Sequence, residues 1–434
     1  MPAPPPERDP SAARNIYAFG ITSFLNDTAT EMAYWVLPAF LASLGAGPAQ
    51  LGLIEGVAES VASFAKLLSG YLTDRIVRRK PLVVAGYFAA NAVKPLLALA
   101  TSWWHILLIR FTDRLAKGVR GAPRDVMVAE SVPKGRLGAA YGLIQSMDSA
   151  GAIAGPLIAF ALLARHGMRT VFWAAAVPGA LCVLVAVFGI REKHRGQTAS
   201  GAELQPGRGS TVQLTSAPLN ATSPSLAAKL PRAFYFVLFA VTLFSLGNSS
   251  DMFLVMRAQS AGIPVALAPL LGLVFNLTYT LGSWPAGWLS DRSSRRGFSQ
   301  RSPSGRGSSR SGSSRSGSSR RWIAAAGYLI FAGVYFVFGR APSALAIWIA
   351  MAIYGLYYAL TQPVLKALVV EAVGEDVRGR ALGVYFFATS AATLAASLIT
   401  GELWKHYGAS VPFFCSALLA AVSATLLVIK PPSD

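Results

Sequence analysis

Charge is the first thing this chain has little of. Only 14% of its 434 residues are charged, against about a quarter in a soluble domain, while 53% are hydrophobic and mean hydropathy is +0.47. A water-soluble globular body is excluded. Cysteine is scarcer still: Cys182 and Cys415 each sit inside an apolar run, which excludes a disulfide framework and leaves them as small core side chains. The four histidines, His105, His166, His194 and His406, lie near run ends or in loops without ligand spacing, so no metal is expected. No nucleotide-binding loop, nucleophile elbow or soluble pair of catalytic carboxylates occurs, so neither an enzyme nor an ATP-driven pump is expected, and no cofactor. Met1 to Arg14 is Pro-rich and polar with no apolar core before a cleavage site. It does not read as a signal peptide, and the first apolar run is expected to stay as a membrane helix.

Acidic residues are also few, 20 against 39 Lys and Arg, for a net charge of +19. That balance invites nucleic acid as a partner, but its location argues otherwise. Nine arginines fall between Arg292 and Arg321, in an Arg/Ser/Gly stretch of low complexity. Without them the basic excess is that of a membrane protein with basic cytoplasmic loops, so no nucleic-acid partner is expected. The stretch cannot bury enough apolar surface to order itself and is expected to be a disordered insertion. Anionic lipid heads could attract it by ~1 kcal/mol per nearby basic residue.

What the chain does have is apolar runs of a length suited to a ~30 Å hydrocarbon core. Twelve can be drawn: 16–44, 49–73, 82–101, 103–129, 138–164, 168–190, 233–259, 267–290, 322–340, 343–370, 381–404 and 410–429. Connecting segments on the side of both termini hold 26 Lys and Arg, and those on the opposite side only Arg165, Arg169, Arg340 and Lys405. By the positive-inside rule both termini are expected in the cytoplasm, with the protein multi-pass in the inner (plasma) membrane. The expected organisation is a tail (1–15), a six-span half (16–190), a linker (191–232) and a second half (233–430) interrupted by the insertion 293–321. The halves repeat: Leu72-Thr-Asp-Arg75 returns as Leu289-Ser-Asp-Arg292, and Glu130, Gly142 and Gly167 return 241 residues later as Glu371, Gly383 and Gly408. Parallel six-helix repeats predict an all-α transporter with its ligand site between the halves.

The fourth run carries the strangest stretch, Arg110 to Asp125. Charges facing lipid would each be unfavourable by at least ~2.5–3.5 kcal/mol. At 100° per residue, Arg110, Asp113, Arg114, Lys117, Arg120, Arg124 and Asp125 fall within about 140° of one another. That stripe must face a polar interior or a water-filled cavity, and Trp103 and Trp104 mark the interface.

At Gly70-Tyr-Leu-Thr-Asp74-Arg75-Ile-Val-Arg78-Arg79-Lys80 the chain resembles the major facilitator superfamily, whose loop between spans 2 and 3 reads Gly-x-Leu-x-Asp-Arg-x-Gly-Arg-Arg/Lys. Val77 departs from that pattern, and the second copy, Gly287-Trp-Leu-Ser-Asp291-Arg292, runs into the insertion. The resemblance covers nearly the whole chain and implies twelve transmembrane helices in two six-helix pseudo-repeats. It also implies a gate in which Asp74 latches to basic residues or to a helix N-terminus, an attraction of roughly 0.3–1 kcal/mol that transport can break. Gly70, Arg75, Arg78, Arg79, Asp291 and Arg292 belong to the same element. In span 5, Gly151-Ala-Ile-Ala-Gly155-Pro156 resembles the Gly-x-x-x-Gly-Pro motif of the proton-coupled exporters. Its glycines leave a smooth packing face and its proline kinks the span. Arg114-Leu-Ala-Lys117-Gly118 resembles the Arg-x-x-Gln-Gly motif of span 4, with Lys117 in place of Gln.

Within the first-half spans seven cations face seven carboxylates, so paired networks need no substrate. Asp27 and Glu31 are i,i+4 on span 1; two carboxyls that close in low dielectric are suited to taking up and releasing protons. They are the expected proton carriers, with Arg110 and Arg114 as switching partners. Glu55 and Glu59 share the spacing on span 2 but sit further toward the outer third, where water would relieve them. The second half is more aromatic, and a substrate cavity is expected among Lys117, Asp148, Asp251, Tyr354, Tyr357, Tyr358 and Lys366. The leading expectation is a monomeric, proton-coupled exporter of a small organic or drug-like molecule. An organic anion held by the span-4 cations is the alternative within transport. A membrane sensor that docks an acidic partner on the Arg/Ser stretch is the alternative outside it.

Overall fold

The computed structural model describes residues 10–76, 78–132, 137–192, 230–298, 311–341, 343–371, 373 and 378–429. Among them every predicted span is mostly helix and no strand occurs. The first half comprises α1 (Pro10–Tyr34), α2 (Leu37–Ser43), α3 (Pro48–Arg75), α4 (Lys80–Val93), α5 (Trp103–Ser131), α6 (Leu137–His166), α7 (Met168–Ala174) and α8 (Ala176–Gly189). The second comprises α9 (Arg232–Gly247), α10 (Met252–Ser260), α11 (Ala268–Phe298), α12 (Ser311–Arg340), α13 (Ala344–Glu371), α14 (Arg378–Tyr407) and α15 (Ser410–Val428). Nine segments among the described residues are long and apolar enough to cross a membrane. The three predicted spans outside that set are those of α1, α3 and α5, which carry Asp27 and Glu31, Glu55 and Glu59, and the charged stripe from Arg110 to Asp125.

Four predicted spans are broken, and proline explains three. A proline removes one hydrogen bond and crowds the carbonyl four residues earlier. Pro38 crowds Tyr34, where α1 stops, and Pro178 crowds Ala174, where α7 stops. Pro95 ends α4 in a 3-10 turn, Pro95–Leu99. The seventh span breaks without proline, at Asn248-Ser-Ser-Asp251 between α9 and α10, a run of side chains that compete for backbone hydrogen bonds.

Two prolines leave their helices whole because another side chain takes over the freed carbonyl. Pro123 in α5 releases Val119 O, which accepts a 2.5 Å bond from Ser69 Oγ on α3. Pro156 in α6 releases Ala152 O, which accepts a 3.0 Å bond from Asn276 Nδ2 on α11. The second of these joins the two halves.

Helix runs into the segment expected to be a disordered insertion. α11 continues to Phe298 and α12 begins at Ser311, both inside 293–321, leaving 299–310 outside the described residues. Extending an existing helix adds one hydrogen bond per residue without a new nucleus, so flanking apolar spans carry helix into polar sequence.

The halves meet at the end of the bundle opposite both termini. There Gly52 of α3 lies directly against Ser397 O of α14, and Gly272 of α11 against the Trp35 ring. Toward the other end α3 and α14 diverge: Phe64 and Leu67 are about three-fifths exposed and Phe387 three-quarters. One end is closed and the other open.

Candidate functional site

The charged stripe of α5 faces inward, as its periodicity requires. Arg110, Asp113, Arg114 and Arg120 are each less than one-tenth exposed, whereas Phe111 and Leu115 on the opposite face are well exposed. Gly118 lets α3 approach: a Cβ there would lie 2.5 Å from Ala65 Cβ and 2.6 Å from Ala62 O. With backbones this close, equal spacings on the two helices come into register. Arg110 and Arg114 on α5 meet Glu55 and Glu59 on α3.

Glu55 is 1% exposed, and its Oε1 accepts from Arg110 Nη2 at 2.6 Å and Nε at 2.9 Å. Its Oε2 accepts from Ser250 Oγ at 3.0 Å, across to the broken seventh span. The Tyr34 ring lies 5.6 Å from the same guanidinium. Arg114 Nη2 reaches Glu59 Oε1 at 3.4 Å, and that carboxylate is 42% exposed. The arginines' partners are therefore the glutamates of α3, not Asp27 and Glu31 of α1. Expecting Glu55 to be wetted near a span end overlooked that Ser250 and Arg110 close over it. Lys94 and Asp113 complete the buried network, with Nζ 3.7 Å from Oδ1.

Asp27 and Glu31 share a helix face but not an environment. The motif glycines of α6 press on that face: a Cβ on Gly151 would lie 3.1 Å from Asp27 Cβ, and one on Gly155 2.7 Å from Glu31 Cβ. Pro156 is buried in the same seam. Glu31 Oε2 accepts from Trp35 Nε1 at 2.7 Å and from Asn276 Nδ2 at 3.5 Å, so it sits at the junction of the halves. Asp27 instead lines a cavity of about 290 Å³ within the first half, with Asp148, Lys66, Lys117, Arg120 and Arg124. Glu59 and Arg114 border the same space. Arg120 Nη1 and Arg114 Nε are buried there with no hydrogen-bond partner. Arg120 also stacks 4.5 Å over Tyr87.

The residues expected to line one substrate cavity divide. Lys117 and Asp148 line the charged cavity. Asp251 accepts from Tyr354 OH at 2.7 Å and Tyr358 OH at 3.3 Å, but Tyr354 and Tyr357 are at most 2% exposed, packed with Phe244, Phe275, Phe331 and Tyr335. In this conformation Tyr354 and Tyr357 are buried in an aromatic core of tilted and edge-to-face rings. The Lys366 side chain lies outside the described residues.

Of the expected gate, Arg79 Nη1 pairs with Glu130 Oε1 at 2.7 Å, and its backbone N–H donates to Glu192. Arg75 lies over Tyr71, and Arg78 is exposed. These contacts all stay within the first half. Nothing lies within 4 Å of a Cβ placed on Gly70. The side chains of Asp74, Asp291 and Arg292 lie outside the described residues. Three residues that join the halves, Ser250, Asn276 and Trp35, were not singled out from the sequence. Glu55 and Glu59 carried a usable signal: their spacing equals that of Arg110 and Arg114.

Comparisons with known proteins bear on this arrangement. The family profile of the Major Facilitator Superfamily matches residues 19–302. An uncharacterized MFS-type transporter of Methanocaldococcus jannaschii is 30% identical over 97% of this chain and 96% of its own length. Multidrug resistance protein MdtG of Escherichia coli is 30% identical over 42% of this chain and 45% of its own. In three dimensions the crystal structure of the nucleoside transporter NupG superposes with a TM-score of 0.67 at 13% identity, covering 95% of this chain and 98% of that one.

Proposed function

The chain belongs to the Major Facilitator Superfamily, and from that premise we propose that it exports a small organic molecule by alternating access, driven by protons. One observation carries the coupling. Glu31 and Glu55, carboxyl groups of the first half, each accept a hydrogen bond from a second-half side chain, Asn276 and Ser250, at the closed end. A protonatable group bridging two bodies lets one proton bias which end is closed, since any ligand with different affinity for two states shifts them. Arg110 and Arg114 hold the neighbouring carboxylates, and the charged cavity beside Asp27 and Asp148 receives the substrate. The likeness to the multidrug resistance protein supports efflux over uptake. With both termini in the cytoplasm, as the loop charges favour, the open end faces the cell interior. Asp74 and the basic loop Arg75–Lys80 form the gate that closes that end in the alternate state.

The test is flux in proteoliposomes under an imposed pH gradient, against a panel of organic compounds. Glu31→Gln is expected to abolish gradient-driven accumulation while leaving exchange, and Asp27→Asn to weaken both coupling and uptake into the cavity. Accumulation by Glu31→Gln equal to the parent removes Glu31 from the proton path. A second reading, transport of an organic anion, is favoured by the unpartnered donors of Arg114 and Arg120 in the cavity wall.

A further inference from the structure

The charged cavity has a neighbour. Between α3 and α14, on the open side, lies a second cavity of about 260 Å³ whose walls include Phe64, Leu67, Phe386, Phe387 and Leu394. It opens where the two halves diverge, and its apolar side chains are exposed: Phe64 by 62%, Leu67 by 61% and Phe387 by 74%. One residue, Ser63, lines both cavities. The two spaces therefore lie on either side of Ser63 of α3, with Glu59 and Lys66 on the charged side and Phe64 and Leu67 on the apolar side. Neither alone reaches the roughly 300–1,000 Å³ of an ordinary small-molecule site, so a ligand of that size would have to occupy both.

The linings of the pair specify opposite chemistries. The first cavity presents five cations and four carboxylates, so it favours neither sign outright. Two of those carboxylates are already matched by Arg114 and Arg124. What is left over is informative: Arg120 Nη1 and Arg114 Nε are buried donors without a partner, and Arg120 is only 6% exposed. A buried guanidinium with a free N–H favours an oxyanion, phosphate above all. In the same space, Asp27 and Asp148 have no cation within ion-pair distance among the described residues, which suits an ammonium. The second cavity offers a run of aromatic and aliphatic side chains and almost no polar groups beyond its serines.

We propose that the substrate is a single-chain zwitterionic phospholipid or an amphiphile of that chemistry. Its phosphate meets Arg120, Arg114 and Lys117, its ammonium meets Asp27 and Asp148, and its apolar chain lies in the α3–α14 cleft. The inference rests on the charged cavity being the substrate site, and it names the substrate class. It also names the route: the chain enters sideways from the bilayer, past Phe387, so it never crosses water.

The test uses the full-length protein in nanodiscs and a single-chain phosphoethanolamine lipid with a photoreactive diazirine in mid-chain. Illumination is expected to label peptides containing Phe64 and Leu67 and those containing Phe386 and Phe387. Glycerophosphoethanolamine, the head without a chain, is expected to compete at least tenfold more weakly than the unlabelled lipid. Arg120→Gln is expected to weaken binding at least tenfold. Because Arg120 is buried and could be needed for folding, Ser63→Trp supplies an independent variant, blocking the junction and cutting cleft labelling at least tenfold. Competition by the chainless head as strong as by the lipid overturns the cleft assignment. A long-chain alcohol labelling the same peptides equally well, with no response to Arg120→Gln, overturns the head assignment. If soluble organic compounds move under a pH gradient but the lipid probe labels neither peptide, this inference falls and the transport proposal stands. If nothing moves and the probe still labels both peptides, with labelling weakened by Arg120→Gln, the binding inference stands and the transport proposal falls.

Discussion

Arg110 and Arg114 occupy equivalent places on one helix and differ in what surrounds them. Arg110 binds a glutamate that is 1% exposed and also held by a serine from the other half. Arg114 binds one that is 42% exposed beside open space. Removing one partner of a buried pair leaves an uncompensated charge, at about 3–5 kcal/mol, whereas a partly wetted carboxylate is relieved by water. Arg110→Met is therefore expected to destabilise by several kcal/mol and Arg114→Met by clearly less. Adding Glu55→Met to Arg110→Met is expected to restore much of the loss, because both charges leave together. Thermal melts of the two single variants and the double variant check this; equal melting losses for the two single variants would remove the distinction.

At the scale of elements, α1 and α6 form the seam on which coupling depends. Gly155 is where α6 touches α1, with a Cβ there only 2.7 Å from both Glu31 Cβ and Thr28 O. Adding a methyl group must separate two helices, and overpacking of this kind typically lowers stability by about 1–3 kcal/mol. Gly155→Ala is expected to do so and to reduce coupled flux, since moving α1 also moves Glu31 away from Asn276. Gly142, on the same helix with nothing within 4 Å of its Cβ position, is the comparison. Gly142→Ala is expected to melt and transport like the parent. Should the two alanine variants behave alike, the close seam is not what Gly155 serves.

At the scale of the whole molecule, transport by alternating access requires the closed end to open. A Cβ on Gly401 would lie 3.0 Å from Ala49 Cα and 2.7 Å from Pro48 O, so a cysteine there meets the first turn of α3, which must yield slightly for a disulfide to residue 49 to form with its Cβ atoms ~3.5–4.5 Å apart. The pair Ala49→Cys and Gly401→Cys joins α3 to α14 across that end. Oxidation is expected to arrest flux and a reductant to restore it. Flux unaffected by complete cross-linking would show that this end need not open. Neither native cysteine can substitute, since Cys182 is buried and Cys415 sits on α15.

The sequence by itself determined the class, the spans and the facing of the charges. Spans follow from runs of apolar residues, and the stripe of α5 follows from a 3.6-residue period; both are local properties that survive any packing. The motif glycines and proline of α6 were legible for the same reason. Partner choice was not. Which of seven carboxylates meets Arg110 depends on how closely α3 approaches α5, and Gly118 sets that distance only once the helices touch. Asn276 carried no signal in the sequence, because the carbonyl it satisfies is freed by a proline 120 residues away in the other half. Likewise Tyr354 and Tyr357 look alike as cavity wall and as core from their spacing. Only the packing of Phe275, Phe331 and Tyr335 around them decided for core. Helix formation is a property of neighbours in sequence; pairing, closure and cavities are properties of neighbours in space.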